Sequence, residues 1–117
     1  MIDSKVRTYN YALRIINFVG TFSPDLGSQV IAKQLLRSAT SIGANIIEAQ
    51  ASPSRKDFAN FFNHALKSAH ETKYWLCLLR DSHKADMEVT NTLIQEVEEL
   101  AKILGSSILT LRGKKKF

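Results

Sequence analysis

The sequence contains few of the residues that interrupt helices or cross-link chains. Its 117 residues include two prolines, five glycines and one cysteine. Proline and glycine are the residues that most disfavour a helix interior, so their scarcity leaves room for long, uninterrupted helices. The single cysteine, Cys77, excludes an intrachain disulfide, and nothing in the chain therefore indicates an oxidising compartment.

Long apolar runs are also missing. The longest extends from Tyr74 to Leu79, far short of the roughly 20 residues that a membrane-spanning helix needs. Met1 to Tyr11 lacks the apolar stretch of a secretory signal. Hydrophobic residues make up 44% of the chain and charged residues 23%, which excludes a disordered composition. We therefore expect a soluble, cytoplasmic protein with no membrane partner.

Residue patterns that carry catalysis or hold cofactors do not occur. None of the three histidines follows a glutamate by three residues, as di-metal helical bundles require. Cys77 has no base at helical spacing, so it lacks the partner of a nucleophile. Neither a P-loop nor a dinucleotide-binding Gly-x-Gly-x-x-Gly occurs. We expect no enzymatic activity, no metal, no cofactor and no small-molecule substrate.

What the sequence does contain is four amphipathic stretches with helix-start signals. The predicted helices are residues 3–21, 23–50, 54–81 and 86–112. Their predicted starts are Asp3 or Ser4, Ser23 before Pro24, Ser54 with Asp57, and Asp86. Residues 113–117 remain as a basic C-terminal tail.

Three of these stretches each have one continuous apolar face at helical spacing. In the second stretch it is formed by Ile31, Leu35, Ala39, Ile42, Ile46 and Ala49. In the third it is formed by Phe58, Phe61, Phe62, Ala65, Ala69, Thr72, Leu76 and Leu79. In the fourth it is formed by Thr90, Leu93, Ile94, Val97, Leu100, Ala101, Leu104, Ile108 and Leu111. Wide stripes on helices joined by short loops predict an all-α, up-and-down four-helix bundle.

The first stretch differs because it has two apolar stripes on nearly opposite sides. One consists of Val6, Tyr9, Leu13 and Ile16, and the other of Tyr11, Ile15, Phe18 and Phe22. One bundle core can bury only one of them, and surplus apolar surface usually marks a partner site. We expect the Tyr11–Phe22 stripe to stay uncovered and to join copies of the chain. The alternative is a deeply placed helix with Phe22 in the following loop.

Polar residues line a second candidate contact. On the second helix they are Gln34, Arg37, Ser41, Asn45 and Glu48, and on the third Asn60, His64, Lys67 and Glu71. One interpretation is a solvated surface with pairs one helical turn apart. The other is a hydrogen-bonded subunit contact in which Arg37 faces Glu48 or Glu71.

The net charge of +5 is concentrated at the C-terminal end. Arg112, Lys114, Lys115 and Lys116 carry four of these charges, and residues 1–111 are nearly neutral, with 12 basic and 11 acidic residues. Helix three adds Arg55, Lys56, Lys67 and Lys73. Together these residues are candidate contacts for the phosphates of RNA or DNA. The alternative is a tail that only aids solubility.

The segment from Gln34 to Glu48, with the sequence QLLRSATSIGANIIE, carries a family resemblance. It is similar to the signature of the four-helix-bundle proteins encoded in intervening sequences of bacterial 23S ribosomal RNA genes. Arg55–Phe58 and Ala65–Glu71 resemble the third helix of that family. Two positions depart from the family pattern, since Gly43 stands where proline is frequent and Ala49 replaces a glycine.

The resemblance implies a left-handed bundle that assembles as a homopentamer. A relative, the accessory protein of diversity-generating retroelements, is a basic pentamer thought to bind nucleic acid and a reverse transcriptase. On matching positions, the resemblance implies importance for Arg37, Ser41, Asn45, Glu48 and Glu71, without a catalytic role. We therefore expect a non-enzymatic homo-oligomer that serves as a nucleic-acid-binding accessory factor. The alternative is an assembly module without a nucleic-acid role.

Overall fold

Local sequence signals set the ends of four helices in the computed structural model of the protein. The structure describes residues 3–115, with side chains as far as residue 111. Helix α1 spans Ser4–Val19, α2 Leu26–Ala51, α3 Arg55–Asp81 and α4 Met87–Lys115. Over this range the chain contains no strand, and the prediction of an all-α protein with four helices is confirmed. None of the helices in this range is long and apolar enough to cross a membrane.

Three of the predicted helix caps are confirmed. An Asp3 carboxylate oxygen accepts a hydrogen bond from the Lys5 amide at 3.1 Å. The Ser54 hydroxyl accepts one from the Asp57 amide at 3.1 Å, and an Asp86 carboxylate oxygen does the same for Val89 at 2.9 Å. Each cap satisfies an amide of the first helical turn that has no partner within the helix.

The predicted start of the second helix is wrong. The cap is Asp25 rather than Ser23, and the helix begins at Leu26. One Asp25 carboxylate oxygen accepts a hydrogen bond from the Ser28 amide at 3.1 Å and lies 2.9 Å from the Lys84 ammonium. The hydrogen bond from Lys84, together with that from Ser28, holds the pKa of Asp25 well below its usual value. A carboxylate with two such donors is a stronger cap than the Ser23 hydroxyl.

Contacts between helices show that sequence neighbours run antiparallel. The Ser38 and Thr72 hydroxyls lie 2.9 Å apart, and the Ser41 and Ser68 hydroxyls 3.0 Å apart, so residue numbers rise along α2 as they fall along α3. Helices α1 and α4 are antiparallel as well, since Tyr11 contacts Leu93 and Arg7, earlier on α1, contacts Glu96, later on α4. The result is an up-and-down arrangement about 52 Å long and 21 Å wide. At its far end α4 continues to Lys115, so part of the predicted tail is helical.

The interior is formed by the apolar faces predicted for α2, α3 and α4. All but five of the residues predicted on these faces are fully buried. Those five, Ile31, Phe58, Phe61, Ala101 and Leu111, are partly buried. Tyr11 and Thr8 bring polar groups into this interior, and the Tyr11 hydroxyl donates to the Leu93 carbonyl at 2.8 Å. Burial raises the pKa of Tyr11 far above its ordinary value.

The expectation that the Tyr11–Phe22 stripe is uncovered is wrong. Tyr11, Ile15 and Phe18 are at most 6% exposed, and Phe22 is partly buried against the core, edge-on to Phe18. Two contacts explain this orientation. The Tyr11 hydroxyl finds an acceptor inside the core, and Thr8, one helical turn before it, packs on Gly43 of α2. Tyr11, Ile15 and Phe18 therefore belong to the core of the single chain and have almost no surface left for a subunit contact, and Phe22 packs beside them.

Candidate interaction surfaces

The opposite stripe of α1 is the main exposed apolar surface of this helix, and we call it the α1 face. It consists of Val6, Tyr9, Leu13 and Ile16, which are 45% to 64% exposed. Their spacing of three, four and three residues puts them in one row along the outside of the helix. The sequence indicated this stripe, and the structure reverses which of the two is free. Rows of this kind mark interaction sites more often than isolated exposed side chains do.

A shallow groove of about 290 Å³ lies beside the α1 face, between α1 and α2. Its apolar lining consists of Val6, Tyr9, Ala12, Gly43, Ala44 and Ile47. The groove exists because α1 and α2 approach closely at one point. A Cβ atom placed on Gly43 would lie 3.1 Å from the Thr8 hydroxyl oxygen, closer than ordinary contact. A partner that covers the α1 face could therefore also contact the apolar residues of α2 that line this groove.

The predicted polar contact on α2 is partly used inside the chain. The Asn45 side-chain amide donates to the Ser41 carbonyl at 2.8 Å and lies 3.0 Å from the Ser41 hydroxyl. The Ser68 hydroxyl of α3 lies 3.0 Å from the same Ser41 oxygen. Ser41 therefore helps to join α2 to α3, and Asn45 bonds to Ser41 within α2; neither interpretation of the sequence included these intramolecular roles.

The three charged residues of this group remain on the outside. Arg37, Glu48 and Glu71 are all exposed. Among the ion pairs of the described residues, none involves Arg37, so its predicted pairing with Glu48 or Glu71 does not form within one chain. A contact of these side chains with a second copy stays a prediction.

The candidate nucleic-acid contacts on α3 do not meet in one groove. Lys73 lies 2.8 Å from Glu98 of α4, and hydrogen bonding to Glu98 raises the pKa of this lysine. Arg55, Lys56 and Lys67 are exposed, but Lys67 lies three helical turns beyond Lys56. The side chains of the other candidates, Arg112, Lys114, Lys115 and Lys116, lie outside the described residues. No described cluster of three or more histidine, cysteine, aspartate or glutamate residues could hold a metal ion.

Comparisons with known proteins agree with this architecture. The chain is similar to a protein of unknown function from the S23 ribosomal protein family of Bacteroides thetaiotaomicron, with 40% identity and a TM-score of 0.85. The match covers 91% of this chain and 98% of that one. A comparison with curated proteins finds no match. The family model of the 23S rRNA-intervening sequence proteins matches residues 3–106. The chain therefore belongs to the 23S rRNA-intervening sequence protein family.

Proposed function

We propose that the protein is a non-enzymatic assembly module of the cytoplasm whose copies associate through the α1 face. The observation that supports this is the row of Val6, Tyr9, Leu13 and Ile16, half exposed on a helix whose other side is already buried. Water contact at such a row is unfavourable, and burial against another protein surface removes it. On the family resemblance we propose five copies per assembly and a left-handed bundle.

Burial of the α1 face alone contributes too little free energy to hold two copies together firmly. Fully burying an aliphatic side chain contributes about 1.5 to 3 kcal/mol, so covering the exposed half of four side chains contributes roughly 3 to 6 kcal/mol. Association costs about 4 kcal/mol or more in lost translational and rotational freedom. The interface must therefore include neighbouring groups. The groove at Ala44 and Ile47 adjoins the row, and Arg37, Glu48 and Glu71 are exposed elsewhere on α2 and α3.

Light scattering after size-exclusion chromatography tests the proposal. We expect the wild-type protein to elute at a multiple of its 13.1-kDa chain mass, five times that mass if the subunit number holds. Leu13→Glu places a charge in the middle of the α1 face and should produce a monomer, because an unpaired carboxylate in an apolar contact is strongly disfavoured. Leu13 is 45% exposed, so the single chain should fold normally.

A matched control separates this surface from exposed apolar residues in general. Tyr74 on α3 is 57% exposed and lies on another face of the bundle, so Tyr74→Glu should keep the wild-type mass. A wild-type monomer at high protein concentration, or a Leu13→Glu variant of unchanged mass, would contradict the proposal.

Nucleic-acid binding is a second candidate function, and one observation favours it. Arg55, Lys56 and Lys67 are exposed, and among the ion pairs of the described residues none involves them. The sequence adds four basic residues between positions 112 and 116. An assembly would repeat these charges in every copy, and repeated weak phosphate contacts add up to useful affinity.

A further inference from the structure

The outer side of α3 carries a row of polar side chains that take part in none of the ion pairs formed by the described residues. Its members recur at spacings of four, three, four, three and four residues, which places them on one side of the helix. They are Lys56, Asn60, Asn63, Lys67, His70 and Tyr74, and we call them the α3 row. Except for Asn63, which is partly buried, all are exposed. The row therefore offers hydrogen-bond donors to a partner along about 27 Å of helix.

The α3 row contains two lysines and no acidic residue. Lys56 and Lys67 are eleven residues apart, which is about three whole turns and 16.5 Å, so both ammonium groups lie on the same side of α3. Glu71 lies about 40° from Lys67 around the helix, at the margin of the row. The exposed side of α4, by contrast, carries Glu88 and Glu99, which repel phosphate. A partner of the α3 row should therefore be negatively charged.

The α3 row lies across the bundle from the α1 face. Helix α1 packs on α2 at Gly43 and donates a hydrogen bond to α4 at Leu93. Helix α3 contacts the same two helices, at Ser41 of α2 and at Glu98 of α4. The helices α1 and α3 are therefore diagonal to each other, and packing of copies through the α1 face does not by itself cover the α3 row.

An exposed aromatic ring ends the row. Tyr74 is 57% exposed, and its ring packs edge-on against Trp75 with 5.0 Å between the ring centroids, which holds the tyrosine in place. An aromatic side chain of this kind stacks on unpaired bases of any sequence. The two lysines alone supply only about two phosphate contacts, and a duplex, whose bases are already paired and stacked, would gain nothing further from Tyr74. The row therefore suits a single strand better than a duplex.

We propose that a single-stranded nucleic acid lies along the α3 row, an inference that rests on the proposed nucleic-acid binding. Phosphates contact Lys56 and Lys67, and a base stacks on Tyr74. The amides of Asn60 and Asn63 lie between the two lysines and donate hydrogen bonds to phosphate or base oxygens. Because stacking accepts every base, the row binds with little sequence preference.

Fluorescence anisotropy with a labelled oligouridylate of about 12 nucleotides, a length that known single-strand binding domains occupy, tests the proposal. The measurements use the Leu13→Glu background, so that repeated contacts in an assembly do not contribute. Lys56→Gln/Lys67→Gln should lower the slope of log affinity against log salt by about 1.4, which is two contacts of about 0.7 each. Lys5→Gln/Lys33→Gln is the matched control, since it removes two exposed lysines of α1 and α2 and should leave the slope unchanged.

The tyrosine is tested by comparing single strand with duplex. Tyr74→Ala should weaken binding of the oligouridylate by about five- to 150-fold, the loss expected when one stacked base is removed. The same variant should bind the duplex of oligouridylate with oligoadenylate as tightly as the background protein does. Tyr74→Phe keeps the ring and should bind the single strand within about twofold of the background protein.

Several outcomes would overturn the inference. They are an unchanged salt slope in Lys56→Gln/Lys67→Gln, and a Tyr74→Ala variant that loses equal affinity for single strand and duplex. Both lysines are exposed, so the first test holds even if Tyr74→Ala does not fold. If the slope falls only when Lys114, Lys115 and Lys116 are replaced by glutamine, nucleic-acid binding stands and the α3 row is not its site. A wild-type protein that binds neither single strand nor duplex would contradict the nucleic-acid function itself, and the α3 row with it.

Discussion

The hydroxyl of Tyr11 on α1 lies 2.8 Å from the main-chain carbonyl oxygen of Leu93 on α4 and donates a hydrogen bond to it. Both residues are 1% exposed, so the bond crosses the interior of the protein. It fixes the rotation of α1 about its own axis, because a rotated helix would leave this hydroxyl buried without a partner or remove the tyrosine ring from the core. The same rotation leaves Val6, Tyr9, Leu13 and Ile16 outside.

Tyr11→Phe should lower the free energy of unfolding by about 1 kcal/mol, the usual net value of a buried hydrogen bond. The ring stays in place, so the loss reflects the hydroxyl rather than packing. Urea unfolding followed by circular dichroism measures it. Tyr9→Phe, which removes an exposed hydroxyl from the same helix, should change the stability by less than about 0.5 kcal/mol. Equal effects of the two variants would show that the core hydroxyl has no special role.

The ion pair between Arg7 and Glu96 predicts a specific pH dependence. Both side chains are partly buried, and two guanidinium nitrogens lie 2.9 Å from the two carboxylate oxygens. The hydrogen bond from Arg7 lowers the pKa of Glu96 below its ordinary 4.5, although burial opposes the shift. A carboxylate with a lowered folded pKa adds stability above its unfolded pKa and loses it as the pH falls through the folded value.

Glu96→Gln should therefore destabilise the protein by about 1 to 2 kcal/mol at pH 7, measured by urea unfolding at a fixed protein concentration. At a second pH, chosen below the ordinary pKa of 4.5, the difference from wild type should shrink, because the wild-type carboxyl then takes up a proton, first in the unfolded chain and then in the folded one. Glu88→Gln is the control, since Glu88 is exposed and should give a difference near zero at both pH values. A Glu96→Gln effect of constant size across this range would show that the charge of Glu96 contributes nothing.

The sequence was sufficient to predict α2, α3 and α4 because each has one apolar stripe. On α3, for example, Ala65, Leu76 and Leu79 are predicted on the inner face and are fully buried. The start of α2 was not predictable in the same way. Its cap, Asp25, is strengthened by Lys84, which is 59 residues away in the sequence. Asp25 is itself a favourable cap residue that bonds the nearby Ser28 amide, but the local sequence does not show that Lys84 strengthens it over Ser23.

The orientation of α1 could not be predicted from apolar periodicity, since both of its stripes are equally regular. Two contacts determine which stripe faces the core: a hydrogen bond from α1 to α4 and a close packing of α1 on α2. Tyr11 finds an acceptor in Leu93, and Thr8 fits against Gly43, where a side chain on α2 would collide. Thr8 is fully buried on the inner stripe. Four glutamates lie on α4 between residues 88 and 99, but the sequence does not show that Glu96 pairs with Arg7 of α1.

The two mid-helix glycines Gly43 and Gly105 should respond oppositely to the same substitution. A Cβ on Gly43 would lie 3.1 Å from the Thr8 hydroxyl, whereas a Cβ on Gly105 would meet nothing within 4 Å except its chain neighbours and the backbone of its own helix. Gly43→Leu should therefore destabilise the protein by about 1 to 3 kcal/mol through overpacking. Gly105→Leu should stabilise it by up to about 1 kcal/mol, because leucine is the better helix former.

Thermal unfolding of the two glycine variants and of wild type compares their stabilities. The double variant Gly43→Leu/Thr8→Ala should regain part of the stability lost in Gly43→Leu, because the smaller alanine makes space on α1. A Gly43→Leu variant as stable as wild type would show that α1 can move away from α2 at little cost. The closeness of the two helices would then not be the reason for a glycine at this position.

Phosphate binding by the C-terminal basic residues predicts a change in salt dependence. Counterion release lowers the affinity for single-stranded RNA with a slope of about 0.7 in log affinity against log salt per phosphate contact. Lys114→Gln/Lys115→Gln/Lys116→Gln should therefore reduce the slope for a labelled RNA by up to about 2, measured by fluorescence anisotropy between 50 and about 200 mM salt. Lys73→Gln should leave the slope unchanged, because Glu98 already neutralises this lysine. RNA affinity that does not depend on salt, or a salt dependence whose slope is unchanged by the tail substitutions, would contradict phosphate binding by the tail and would leave the assembly function.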